Sequence, residues 1–213
     1  MLKMLGKTAL VLALVCFLAV LFTGCAPSES ELSKDELVAK LVDAMAEDKS
    51  DATDIRVLKH SSVDRIVDTT GKVDDADLVL YYYKIGQDEF EDLKFYAIKN
   101  NKVVLFGGSI NKMIVDEEEL TYSGTGSQFD SKKGPTDIDW FVYGHRLNPG
   151  IATVEVDFTE GKTKSQEIDE LGGYIVHGRF ENFVGVKEVR GLDSEGNILY
   201  RFPPEDNKVQ MFQ

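Results

Sequence analysis

Cysteine is nearly absent from this chain. Of 213 residues only Cys16 and Cys25 carry a thiol, and both sit in or at the end of an N-terminal apolar run. Once that run is removed, at most one thiol remains, so no internal disulfide and no cysteine-built zinc or Fe–S site can form. Basic residues are scarce too: 24 Lys+Arg stand against 37 Asp+Glu, a net charge of −13. Such a surface repels nucleic acid and anionic head groups, which excludes a nucleic-acid partner. No apolar run reaches the roughly 20 residues of a membrane-spanning helix. The longest, Ala9 to Phe22, has 14. Histidine occurs three times, as His60, His145 and His177, and never in an H-E-x-x-H arrangement. G-x-S-x-G and the twelve-residue calcium loop are also missing, so neither a nucleophile elbow nor an EF-hand is encoded.

What the N-terminus does contain is an export leader. Lys3 and Lys7 precede the apolar run, which closes on Leu21-Phe22-Thr23-Gly24-Cys25. A positive start and an apolar stretch too short to span a bilayer read as a signal peptide of residues 1–24. The Gly24-Cys25 ending resembles the lipobox of bacterial lipoproteins. That resemblance implies a diacylglyceryl thioether on Cys25, cleavage in front of it and retention by fatty-acyl chains such as palmitate. The expected address is the outer face of the cytoplasmic membrane. Loss of Lys3 and Lys7 leaves 22 basic residues against 37 acidic ones, or −15, so membrane contact should come from the acyl chains.

Residues 25–32 read as a lipidated tether. Ser33-Lys34-Asp35-Glu36 forms a capping box, and Leu37, Val38, Leu41, Val42 and Met45 recur at helical spacing, which predicts one helix over about 34–47. Strand patterns follow at Ile55 to Leu58, Ala76 to Lys84, Leu93 to Lys99 and Lys102 to Phe106. Asn100-Asn101 joins the last two as a hairpin turn. Leu78 to Tyr83 is apolar or aromatic on both alternating faces, as in a strand covered on both sides. Gly107-Gly108-Ser109 reads as a bulge. Residues 33–120 are therefore expected to form an α+β domain.

Between Glu117 and Pro135 the composition turns polar and glycine-rich, and residues 121–135 read as a linker. Strand signals resume at Asp137 to Tyr143, Ile151 to Phe158, Lys162 to Ile168, Gly173 to Phe180, Gly185 to Leu192 and Ile198 to Phe202. In Ile151 to Phe158, Val154, Val156 and Phe158 share one face. Residues 136–203 are expected to form a sandwich-like domain, and 204–213 a polar tail. The predicted fold class is thus α+β: an N-terminal helix packed on an antiparallel β-meander, followed by a small all-β sandwich-like domain.

Val142-Tyr143-Gly144, Asn148-Pro149-Gly150-Ile151, Val154-Glu155-Val156-Asp157-Phe158, Glu160-Gly161-Lys162 and Leu192-Asp193-Ser194-Glu195-Gly196-Asn197-Ile198-Leu199-Tyr200 carry a second resemblance. Together they resemble the C-terminal β module of uncharacterised membrane lipoproteins from Gram-positive Firmicutes. The resemblance covers about residues 136–202 and implies a surface lipoprotein with a sandwich-like module. It implies no catalytic residues.

Candidate chemistry is sparse. His145-Arg146 lies before Asn148-Pro149, and His177 and Arg179 share one face of a strand. Together these four could form a cationic pocket for a carboxylate, against the plainer reading as loop and sheet-surface residues. Carboxylates cluster at Asp74-Asp75 with Asp77, at Asp116 to Glu119 and at Asp137 with Asp139. No cofactor is expected, although a weak Ca²⁺ site built from these loops stays open. The aromatic runs Tyr81 to Tyr83 and Trp140-Phe141 suit core packing better than exposed stacking platforms.

The expected function is that of a noncatalytic, membrane-anchored extracytoplasmic lipoprotein that binds a protein, peptide or cell-envelope component. The alternative is a cell-envelope hydrolase using Asp/Glu and His side chains. A transporter's solute receptor fits less well, since such proteins usually have two larger α/β lobes and this chain offers one helix.

Overall fold

The computed structural model describes residues 32–67, 73–113, 119–128, 138–180 and 185–203. The leader, Cys25, residues 129–135 of the expected linker and the tail fall outside them. Up to Leu37 the chain forms one unit, and Val38–Gln213 form a second. In the first, the Ser33 backbone N–H donates to Glu36 Oε2 at 2.9 Å, and the Glu36 N–H donates to Ser33 Oγ at 3.3 Å. This reciprocal cap starts the one helix among the described residues, α1 (Lys34–Asp48), whose buried residues are Leu41 and Met45. It is not long and apolar enough to cross a membrane.

Beyond the rest of α1, the second unit is built of strands among its described residues. In chain order these are β1 (Thr53–Val67), β2 (Val73–Ile85), β3 (Asp88–Lys99), β4 (Lys102–Lys112), β5 (Ser123–Gln128), β6 (Ile138–His145), β7 (Thr153–Phe158), β8 (Thr163–Glu167), β9 (Gly173–Phe180), β10 (Val186–Leu192) and β11 (Ile198–Phe202). They form three antiparallel sheets, ordered β1-β2-β3-β4, β5-β6-β9 and β11-β10-β7-β8. The expected α+β class, with a helix on a meander as its first half, is therefore corrected: the fold is mostly β, with one short helix and several antiparallel sheets. The basis of that expectation was the double-sided apolar run from Leu78 to Tyr83. The face carrying Leu78, Leu80 and Tyr82 is covered by another sheet, through Phe141 and Tyr143 of β6 and Ile175 of β9.

Alternation explains how β6 and β9 serve two cores at once. Phe141 and Tyr143 point one way, toward Leu58, Leu78, Leu80 and Leu93. Val142, Tyr174, Val176 and Phe180 point the other way and meet Val154, Val156, Phe158 and Val189 of the third sheet. The β5-β6-β9 sheet is thus apolar on both faces, as a middle layer must be. Each buried aliphatic or aromatic side chain contributes roughly 1.5–3 kcal/mol to the assembly.

The run Ser123-Gly124-Thr125-Gly126-Ser127, expected as linker, is strand β5. Gly126 stands opposite Trp140 of β6, and a Cβ at this glycine would lie 2.4 Å from ring atoms of Trp140. Here glycine makes room for an indole that lies flat against the strand. It is not a hinge.

Candidate functional site

Of the four candidate residues outside the leader, two meet and two do not join them. His145 and His177 lie on the same face of the middle sheet. Phe141 is the β6 residue paired with His177, and His145 is four residues further along β6. At about 3.3 Å per residue the two imidazoles are held roughly 13 Å apart along the sheet. Each has its own buried carboxylate.

The first pair is at the end of β6. The His145 Nδ1–H donates to Glu91 Oε1 across 2.6 Å, and the Thr121 hydroxyl donates to the same oxygen across 2.7 Å. The His145 backbone N–H closes the triangle by donating to Thr121 Oγ1 at 2.8 Å. Glu91 is completely buried, and its Oε2 has no hydrogen-bond partner. The Tyr82 ring meets the imidazole edge-on at 6.1 Å. Arg146, next in sequence, turns elsewhere: its Nη1 donates to the Ile151 carbonyl at 2.9 Å. It ties down the 146–151 loop and does not extend a cationic pocket.

The second pair lies at the other end of the same face. Asp139 on β6 stands opposite Arg179 on β9. Its Oδ1 accepts from Arg179 Nε at 2.9 Å and from His177 Nε2 at 2.8 Å, while Oδ2 accepts from Arg179 Nη2 at 3.1 Å. Asp139 is only 2% exposed. Burial alone would push its carboxyl up, but the hydrogen bonds from His177 and Arg179 outweigh it and hold the group below the usual carboxylate range. Phe141 stacks on the His177 ring at 4.9 Å. Asp139 and Phe141 therefore fix the imidazole, and Asp139 the guanidinium, before any ligand arrives.

His177 and Arg179 also line a cleft of about 320 Å³, completed by Ile175 and by Ser61, Ser62 and Val63 of β1. Ser62 Oγ donates to Asp77. The walls combine hydroxyl, imidazole, guanidinium and aliphatic groups, a mixture suited to holding a polar ligand with some apolar surface.

Each carboxylate faces one ring nitrogen, Nδ1 in His145 and Nε2 in His177, and that nitrogen is the donor to it. A nucleophile–base–orienter relay would place a hydroxyl on the imidazole nitrogen away from the acid. Thr121 instead sits on the same side of His145 as Glu91. Among the described residues there is no group of three or more His, Cys, Asp or Glu arranged to hold a metal ion.

Glu91 and Thr121 have no place among the candidates read from the sequence, and Asp139 enters there only in a carboxylate cluster with Asp137, not as the partner of His177 and Arg179. Two of them left a signal: Asp139 lies between Ile138 and Trp140, and Glu91-Asp92 between Phe90 and Leu93. An acid inside an apolar strand calls for a partner in space. Asp92, fully buried on the opposite face of β3 from Glu91, has no hydrogen bond to either carboxylate oxygen. Lys94 Nζ approaches it to 3.5 Å. Burial pushes its carboxyl up to about 6, against the pull of Lys94 and Lys49.

No family model, curated protein or solved structure matches the chain.

Proposed function

We infer that this chain is a noncatalytic lipoprotein, anchored through Cys25 at the outer face of the cytoplasmic membrane, that binds a protein, peptide or envelope component. The anchor rests on the leader and its Gly24-Cys25 ending. The binding role rests on one observation: His177 and Arg179 line an open cleft and are both held in place by the buried carboxylate of Asp139. Side chains already fixed lose little rotamer entropy when a ligand arrives, which favours recognition. Their commitment to Asp139 also suits holding a ligand better than passing protons to one. The mixed wall fits a peptide-like segment, with Val63 and Ile175 for its apolar part and the hydroxyl and nitrogen groups for its polar part.

A photo-crosslinking residue at position 61 of the full chain, used in living cells, tests this reading. One dominant adduct, lost when His177→Ala is added, is the expected result. Adducts identical to those from a crosslinker on the exposed turn at Glu195, and unaffected by His177→Ala, would contradict it.

A further inference from the structure

Among the described residues, seven large apolar side chains are exposed, and four of them are on β3 and β4: Ile98, Val104, Phe106 and Ile110. Among the described residues β4 is an edge strand, paired only with β3. Its turn fixes which backbone groups are used. Asn100 and Asn101 both have positive φ, 51° and 62°, so the two-residue loop is of the primed type that makes its flanking pair, Lys99 and Lys102, hydrogen-bonded. Alternation then makes Val104 and Phe106 the other residues bonded to β3. The backbone groups of Val103 and Leu105 point outward, away from β3. The ladder is interrupted next: Gly107 and Gly108, at φ 58° and 119°, bulge out between the Leu93–Ser109 and Phe95–Phe106 pairs. A regular open edge therefore runs from Lys102 to Phe106 and ends at the bulge.

That five-residue edge is self-complementary. A two-fold axis through Val104 sets Val104 against Val104 of a second copy, Val103 against Leu105 and Lys102 against Phe106. Val103 and Leu105 supply the exchanged hydrogen bonds. It is the one centre that opposes all five residues with one another; an axis at Leu105 would set Val103 against the bulged Gly107. Apolar residues meet apolar residues, and the ammonium of Lys102 meets an aromatic face, an attractive pairing. The strand itself carries no acidic residue; Asp43 and Glu47 of α1 line a cleft with Lys102 and Val103, so the pairing should strengthen as salt screens these carboxylates.

We propose that β4 is a homodimerisation edge, on which Lys102–Phe106 of two copies pair antiparallel about Val104 and join two four-stranded sheets into one of eight strands. The contact is isologous, so it closes at two copies and does not propagate. It is independent of the cleft between β1 and β9.

The test uses the full chain in its own membranes, with Val104→Cys and a mild oxidant. In a non-hydrogen-bonded antiparallel pair, opposed Cα atoms are about 4.5 Å apart, within the range of about 4.4–6.8 Å that a disulfide spans. A disulfide-linked dimer at least tenfold above both the parent chain and Leu147→Cys is expected. Adding Phe106→Lys sets like charges opposite each other and should reduce the dimer about tenfold or more. Adding Phe106→Glu sets opposite charges together and should retain it. A purely structural role for Phe106 would make the two variants fall together, which overturns the proposal. So would a monomer throughout, dimers equally strong at Leu147→Cys, or attachment of Val104→Cys to a different protein.

Discussion

Asp139 and Arg179 stand directly opposite each other on β6 and β9, and the Asp139 carboxylate takes two donors from Arg179 and a third from His177. This buried acid sits at one end of the face on which the middle sheet meets β1–β4. Glu91 and His145 sit at the other end, and Phe141, Tyr143 and Ile175 lie between. Two hydrogen-bonded polar clusters thus bracket an apolar core. Apolar burial drives that contact and the Glu91–His145 bond crosses it, while Asp139 with His177 and Arg179 fixes the β6–β9 register, because a slip of one residue there would bury the acid without its partner.

Asp139→Asn should cost about 1–3 kcal/mol at neutral pH, the range for a buried hydrogen-bonded charge whose partners are partly solvated. The sign of its pH dependence follows from the lowered carboxyl. The stabilisation is present above the ordinary Asp value of the unfolded chain and is lost as pH falls through the lower folded value. Urea unfolding at pH 7 and pH 3 should therefore show a gap between wild type and variant that narrows in acid.

Asp92→Asn should have the opposite sign. Its carboxyl is raised to about 6, so wild type is most stable below the unfolded value near 3.8 and loses stability as pH rises through about 6. The variant should gain up to about 3 kcal/mol over wild type at pH 7.5, with no such gain at pH 3.5. Thermal melts across that interval measure the difference.

Gly126→Ala should displace Trp140, since the new Cβ would lie within 2.4 Å of the ring. Overpacking of this kind typically costs about 1–3 kcal/mol. Trp140 is the one tryptophan, so its fluorescence reports on this site alone. A red-shifted emission and a lower melting temperature are expected.

Cys25→Ser should move the protein from the membrane to the soluble extracytoplasmic fraction, because it removes the thiol that the acyl chains would occupy. Fractionation and immunoblotting of the full chain decide the matter, and undiminished membrane retention would count against the anchor.

Strands were legible wherever side chains alternated. Val154, Val156 and Phe158 form the buried face of β7 as their spacing requires, and Asn100-Asn101 makes its hairpin. β5 was not legible, because Ser123 to Gln128 has no apolar alternation and its place is set by pairing along β6, with Gly126 against Trp140. Layering was hidden for a related reason. The two-faced run Leu78 to Tyr83 says that both faces are covered, but a helix and a sheet leave the same mark on it. His177 and Arg179 were readable as neighbours by their period of two. Glu91 and His145 were not, since 54 residues separate them and only the stacking of sheets brings them together.

Hydrogen exchange on the anchored chain, with and without a solubilised envelope fraction, tests the binding account most directly. The account predicts slowed exchange at Ser61 to Val63 and Ile175 to Arg179, and loss of that slowing in His177→Ala. Slowed exchange confined to other segments, or none anywhere, would contradict it.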